Sequence, residues 1–322
     1  MKKELSYLET LKMIGYAKKV FESQLEKRLG LIKVPCPLFV KTSSGLQDAL
    51  TGVEKAIEFT KGEEKFEIVH SLAKWKREAL GKYQVPMHEG IYTDMKAIRK
   101  DEDVDAIHSL YVEQWDWEKV ISKDDRTVDY LKEIVRSIYK SIRQSSIILK
   151  QKYHFLTTEL PKTIYFISSQ ELEDLYPDKT PKEREQLITR KYKAVFIIGI
   201  GDKLKSGIKH DLRSPDYDDW TLDGDLMIYF KSLDRCVEVS SMGIRVDEKS
   251  IIEQLKKSDA MDRLELPYHQ KIIKSELPYT IGGGIGYSRI LMLLLEKSHI
   301  SEVQASSWED KTIKELKGLK ML

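Results

Sequence analysis

The segment Gly282-Gly283-Gly284-Ile285-Gly286-Tyr287-Ser288-Arg289 sets four glycines within five residues, directly ahead of the apolar block that begins at Ile290. Such density removes side chains just before a helix and costs conformational entropy on folding. It therefore predicts close approach to the main chain, as by a flat, phosphate-bearing ligand. The spacing excludes two common phosphate loops. A Walker A loop needs Lys and Ser or Thr after its last glycine, whereas Gly286 is followed by Tyr287; the dinucleotide fingerprint fails in register. What remains is Gly-x-Gly-x-Gly-x-x-Arg on a strand-to-helix junction, with Arg289 able to pair with a phosphate or stack on a base. A glycine-rich turn feeding a buried helix is the ordinary alternative.

The chain has 322 residues, enough for one large core or two modest ones. Lys and Arg total 54 against 52 Asp and Glu, a net charge of +2, so no bulk attraction to nucleic acid is expected. The amino terminus does not read as a secretory leader, and no apolar run approaches a membrane span. A soluble, cytoplasmic protein is the expectation. Cys36 and Cys236 stand alone, without the spacing of a disulfide framework or a zinc set.

Leu11, Ile14, Ala17, Phe21 and Leu25 recur at helical spacing between about 7 and 29, with Gly30 as the stop. The next strand, 31–40, carries Pro35 and Pro37, which confine it to an edge or interface and point to a dimer seam. Further helices are predicted at about 126–153, 181–192, 248–259, 263–275 and 287–297. Strands are predicted at 66–69, 91–99, 107–115, 163–167, 194–199, 225–230 and 236–241. Hairpin-like strand order with helices in blocks predicts an α+β fold, an antiparallel sheet flanked by α-helices.

Four further segments carry chemistry. In 90–99, Met95, Ala97 and Arg99 share one strand face; in 107–116, Leu110, Val112, Gln114 and Asp116 share another. Polar groups on apolar faces need partners, which a zwitterion bearing a phosphate could supply, or Arg99 could pair with the acids of its own turn. In His70-Ser71-Leu72-Ala73-Lys74-Trp75-Lys76-Arg77, Ser71 is placed to cap a helix whose buried stripe holds Leu72, Trp75, Ala79 and Leu80. Lys76 borders that stripe, ready for a carboxylate or for snorkelling to solvent. A hairpin turning near Lys231 and Ser232 sets Asp225 opposite Glu238, a like-charge pair that magnesium, with phosphate oxygens and water, would relieve. The acidic loop Lys209–Trp220 is flanked by aromatics, which argues for partial burial.

In chain order these segments resemble motif 1 (about 10–40), motif 2 (about 90–118) and motif 3 (about 280–296) of class II aminoacyl-tRNA synthetases. The wording is similar more closely still to ammonia-dependent asparagine synthetase, the aspartate-ammonia ligases, at Gly45-Leu46-Gln47-Asp48, His70–Arg77, Gln114–Glu118, Ser214–Trp220, Ser240–Val246 and Thr280–Arg289. The resemblance implies a single catalytic domain over 1–322, a homodimer, and conversion of L-aspartate, ammonia and ATP, with Mg2+, to L-asparagine, AMP and pyrophosphate through a β-aspartyl-AMP. It also implies roles. Arg99 would hold the α-phosphate; Arg289, with Gly284, Gly286 and Ser241, would hold ATP; Glu238, with Asp225, would carry magnesium. Ser71, Lys76, Gln114 and Asp116 would surround the amino acid, Asp116 suited to its α-ammonium and Lys76 to a carboxylate. Asp48, Arg213, Asp219, Ser241 and Arg245 would also line the site, with Asp48 orienting or deprotonating ammonium.

One departure stands out: only Thr221-Leu222-Asp223-Gly224 separate Trp220 from Asp225, shorter than the family's bacterial pattern, which puts the lid there in question. The alternatives are an aspartyl- or asparaginyl-tRNA synthetase-like paralogue, disfavoured because no anticodon-reading segment is visible, and a silent amino-acid- or adenylate-binding regulator. Glutamine is not expected as nitrogen donor, because the chain begins Met-Lys-Lys and neither cysteine sits in a nucleophile motif.

Overall fold

The computed structural model describes residues 5–51 and 54–322. Helix α1 (Tyr7–Leu29) opens with a capping box: Ser6 Oγ accepts from Glu9 N, and the Glu9 carboxylate accepts from Ser6 N. Gly30 closes it at φ +68°, a left-handed conformation that suits glycine. The prolines then break the expected strand in two, β1 (Leu31–Lys33) and β2 (Phe39–Lys41). A small sheet follows, β2 with β3 (Glu58–Lys61) and β4 (Glu64–Ile68) in the order β2-β4-β3.

Next come α2 (Ala73–Lys82), β5 (Gly90–Ile98), β6 (Tyr111–Val120) and the long α3 (Val128–Lys152). The chain continues through β7 (Tyr165–Ser168), α4 (Ser169–Leu175), α5 (Pro181–Tyr192), β8 (Ala194–Ile198), β9 (Asp218–Phe230) and β10 (Arg235–Arg245). It ends with α6 (Ser250–Lys257), α7 (Pro267–Ile273), β11 (Thr280–Gly286), α8 (Tyr287–Leu295) and α9 (Asp310–Glu315).

The main sheet has eight strands in the order β1-β5-β6-β11-β10-β9-β8-β7. Its six central strands pair antiparallel, as the sequence predicts, but both edges, β1 on β5 and β7 on β8, are parallel, so the sheet is mixed. The proline-flanked strand is indeed an edge. One face buries Trp115, Trp117, Ile281 and Ile285 against Phe21 and Leu25 of α1, Ile138 and Ile142 of α3, and Leu291 of α8. Each such side chain contributes about 1.5–3 kcal/mol by leaving water. With this face sealed, the alternate residues of the same strands turn to the other side, where they floor a cleft.

The Trp220–Asp225 segment is not a lid: it lies inside the continuous strand β9. Strand β6 runs 111–120 rather than 107–115, because Asp105 takes the backbone N–H of Ile107 and His108 into a turn ahead of it. No helix among the described residues is long and apolar enough to cross a membrane.

Candidate active site

One row of residues crosses the sheet beneath the cleft: Thr93 faces Asp116, Asp116 faces Gly284, Gly284 faces Ser241, Ser241 faces Asp225, and Asp225 faces Ile197. The next row sets Glu118 opposite Gly282, and Gly282 opposite Gly243. The glycines therefore occupy the centre of the floor, and the crowding explains them. A Cβ on Gly282 would lie 2.0 Å from Glu118 Oε2, and one on Gly284 would lie 2.4 Å from Gln114 Oε1. At 282 the close approach that the sequence predicts is thus made by the protein's own side chains. Gly283, Gly284 and Gly286 line the cleft, whose cavity volume is about 290 Å³.

Two guanidinium groups mark its cationic end. Arg99, half-buried just beyond β5, has an Nε without a partner among the described residues, and its Nη2 donates weakly to His70 O at 3.5 Å. Burial pulls this guanidinium below its usual value, and the nearby Arg289 adds to that against Glu102. An anion between the two arginines would relieve the repulsion. Arg289, on the first turn of α8, donates to Glu238 O at 2.9 Å, which fixes its side chain beside β10. Both line the cleft, with Ser71, Gln114, Asp116, Arg213, Glu238, Ser241 and Arg245.

Acids occupy the middle. The predicted hairpin register is off: Asp225 faces Ser241, and Glu238 faces Met227. The turn runs through 231–234, two residues longer than expected, and a bulge between Glu238 and Ser240 adds one more shift. That bulge brings Glu238 to the same face as Ser241, diagonal to Asp225. Asp225 is bound by Arg213 Nη2 at 2.6 Å, and its carboxyl is pushed up to about 6. Burial is the main cause; Arg213 opposes it, and Glu238 and Asp211 reinforce it. Among the described residues no side chain donates to the Glu238 carboxylate, and no group of three or more His, Cys, Asp or Glu could hold a metal ion. One or two carboxylates of this kind fit Mg2+, which takes its remaining ligands from phosphate and water.

Other predicted residues sit differently. Lys76 neither snorkels nor opens to the cleft: it is fully buried, ion-paired to Asp116, donating to Trp117 O at 2.8 Å and lying 3.6 Å from Glu118. An ammonium without water needs such partners, so Lys76 and Asp116 already neutralise each other. Ser71 does not cap α2; the cap position is Leu72, and Ser71 Oγ donates to Asp48 Oδ2 at 2.6 Å. Asp48, wholly buried, itself accepts from Ala73 N at 2.5 Å and so serves the helix start from outside. Burial raises its pKa, and Lys74 and the Ser71 hydroxyl counter the rise.

Asp219 points away from the cleft into a pairing with Arg126 at 2.9 Å. The acid that lines the cleft is Asp218, which β10 sets opposite Arg245. Arg245 is held between Asp218 and Glu118, the latter at 2.9 and 2.7 Å, so it acts as a buried strut on the cleft face of the sheet. Glu118 stays below its usual value despite burial, because Arg245 and Lys76 lie against it. Glu118 and Asp218 were both overlooked as site residues. The two-residue period from Asp116 pointed to Glu118, whereas nothing in the run Asp216-Tyr217-Asp218-Asp219 tells which acid faces inward.

Synthetases of known structure share this fold. An asparaginyl-tRNA synthetase from Pyrococcus horikoshii, complexed with asparaginyl-adenylate, superposes with a TM-score of 0.67 at 12% identity, covering 92% of this chain and 68% of that one. One from Entamoeba histolytica, also with asparaginyl-adenylate, gives 0.64 at 13%, covering 92% and 66%. The fold is that of the class II aminoacyl-tRNA synthetases, α+β with a mixed sheet flanked by helices.

The family model for aspartate-ammonia ligase matches residues 8–320. Aspartate-ammonia ligases of Clostridium perfringens (strain SM101) and Lactiplantibacillus plantarum are 55% and 54% identical over 96% and 95% of this chain, and over 93% and 96% of their own lengths. The chain belongs to the aspartate-ammonia ligase family: it is an enzyme that makes asparagine from aspartate and ammonia, and ATP use is implied by that family.

Proposed function

We propose that the chain makes L-asparagine in two steps on one catalytic domain spanning 1–322, releasing AMP and pyrophosphate. A carboxylate resists ammonia because its oxygen is a poor leaving group. The side-chain oxygen of aspartate therefore attacks the α-phosphorus of ATP, and the bond to pyrophosphate breaks. Ammonia then attacks the carbonyl carbon of the resulting mixed anhydride, and AMP leaves.

The observation that carries this reading is the convergence of Arg99 and Arg289 on a glycine-floored cleft beside a row of acids. Arg99 meets the α-phosphate, where charge builds in the transition state. Arg289, Gly284, Gly286 and Ser241 hold the nucleotide. Glu238, with Asp225 once its carboxyl ionises, holds Mg2+, which supplies charge neutralisation on the phosphates when bound. Asp116 and Asp218 suit the α-ammonium of aspartate, and Gln114 and Arg213 its oxygens. Lys76, Arg245 and Glu118 hold these groups in place from the same face of the sheet. Asp48 receives the ammonium and its proton. Asp219 has no part in this scheme.

The reading includes a homodimer. Leu8 and Leu11 of α1, Ile32 of β1 and Leu38 beyond it stand exposed along the helix and the proline-bearing edge, and a second copy would cover them. It places the enzyme in the cytoplasm, without nucleic acid as partner. Incubation with aspartate, ATP, Mg2+ and an ammonium salt tests the chemistry: asparagine, AMP and pyrophosphate in equal amounts are expected, and ADP in their place would refute it.

A further inference from the structure

Asp48 is held by groups that the ligation itself does not use. Lys74, the second residue of α2, grips its surroundings twice. The Lys74 backbone N–H faces Asp48 Oδ1 at 3.4 Å, and the Lys74 ammonium donates to the carbonyl of Gln47, the preceding residue, at 2.9 Å. The same ammonium meets Asp216 Oδ2 at 2.8 Å, with the two side chains 4% and 0% exposed. Asp216 in turn accepts from Ser214 Oγ at 2.8 Å and from Arg263 Nη1 at 3.1 Å, and lies 3.0 Å from His269 Nε2. One lysine thus ties the Gln47-Asp48 peptide to the loop that carries Arg213 and leads into Asp218 at the start of β9.

A buried ion pair is seldom more stabilising than apolar packing of the same volume, because both charges lose their water. What it adds is a fixed geometry. Its charge also matters here, since the Lys74 cation is the largest influence opposing the rise that burial imposes on Asp48. We infer that Lys74, anchored by Asp216, is a positioning residue that holds the Asp48 carboxylate in place for the incoming ammonium. The inference rests on the role proposed above for Asp48.

The test separates the two half-reactions. Aspartate-dependent ATP–pyrophosphate exchange needs no ammonia, so it reads the first step alone. In Lys74→Met, where Arg263 and His269 still partner Asp216, the KM for ammonium is expected to rise about tenfold while exchange stays within about twofold of the parent enzyme. Lys74→Arg keeps a cation in the buried position and is the safer fold; about a threefold rise in the same KM is expected. An unchanged ammonium KM in the folded variants, or exchange that falls in step with asparagine formation, would overturn the inference. Two controls keep its failure apart from that of the reading beneath it. No exchange in the parent enzyme would remove the adenylate; a normal ammonium KM in Asp48→Asn would remove the role of Asp48, and the inference with it.

Discussion

Gly284→Ala separates what the glycine floor does for function from what it does for folding. The added Cβ would stand 2.4 Å from Gln114 Oε1, one ångström inside the 3.4 Å at which ordinary contact begins. The atom in the way is the far end of a flexible side chain, so Gln114 swings aside into the cleft and the backbone need not move. A displacement of about 1 Å in a group that positions reactants costs about 10²-fold in rate. The same displacement leaves the sealed core under the sheet intact, so stability should change by no more than about 1 kcal/mol. Gly286→Ala displaces no protein side chain, since its Cβ would meet nothing nearer than Arg289 Cδ at 3.5 Å, so a loss there reads the nucleotide's contact with the main chain and appears in the KM for ATP. Asparagine formation and urea unfolding, measured on both variants, decide the matter. Near-normal activity in Gly284→Ala, or a collapse of its stability with activity merely following, would refute the argument.

Three other perturbations follow from particular contacts. Glu118→Gln removes the charge that holds Arg245 at 2.9 and 2.7 Å in a fully buried pair, and is expected to cost about 3 kcal/mol by urea unfolding. Glu238→Gln should raise the Mg2+ concentration for half-maximal activity about tenfold with the aspartate KM unchanged, which a metal titration checks. Asp105 is held down to about 2: burial alone would raise it, but the Ile107 N–H and the Arg235 side chain outweigh that. Its folded pKa lies below the ordinary 3.8, so its contribution is present above that value and lost as pH falls toward about 2. Because the side chain is 39% exposed, solvent screening leaves about 1 kcal/mol; Asp105→Asn should show that deficit at pH 7 and converge with the parent in denaturation series run down to about pH 2.

Elements with strong local signals were legible from the chain. Helix α5 matches its predicted bounds of 181–192, because Thr180, Pro181 and Glu183 together start it. Helix α4 carries a similar signal, the capping box of Ser168 and Glu171, and could have been read. Strand β3 could not: all four of its residues are exposed, so it lacks the alternation that betrays a strand.

At the site, the residue types were visible and their mutual arrangement was not. Arg99, Gln114, Asp116, Glu238, Ser241 and Arg289 come together because strand periodicity and the strand-to-helix junction are local properties. The register of β9 on β10 depends on a turn and a bulge that leave no mark in composition, and so Asp225 lies diagonal to Glu238 rather than opposite it. Lys76 shows the same limit for burial: helical spacing put it beside the apolar stripe, and only the packed sheet shows it fully buried against Asp116.

In the proposed first step an oxygen of aspartate becomes bonded to the α-phosphorus of ATP. Aspartate labelled with ¹⁸O in its side-chain carboxylate, incubated with ATP, Mg2+ and ammonium, should deliver one labelled oxygen to AMP for each asparagine formed. Label in inorganic phosphate beside ADP, or AMP without label, would contradict it.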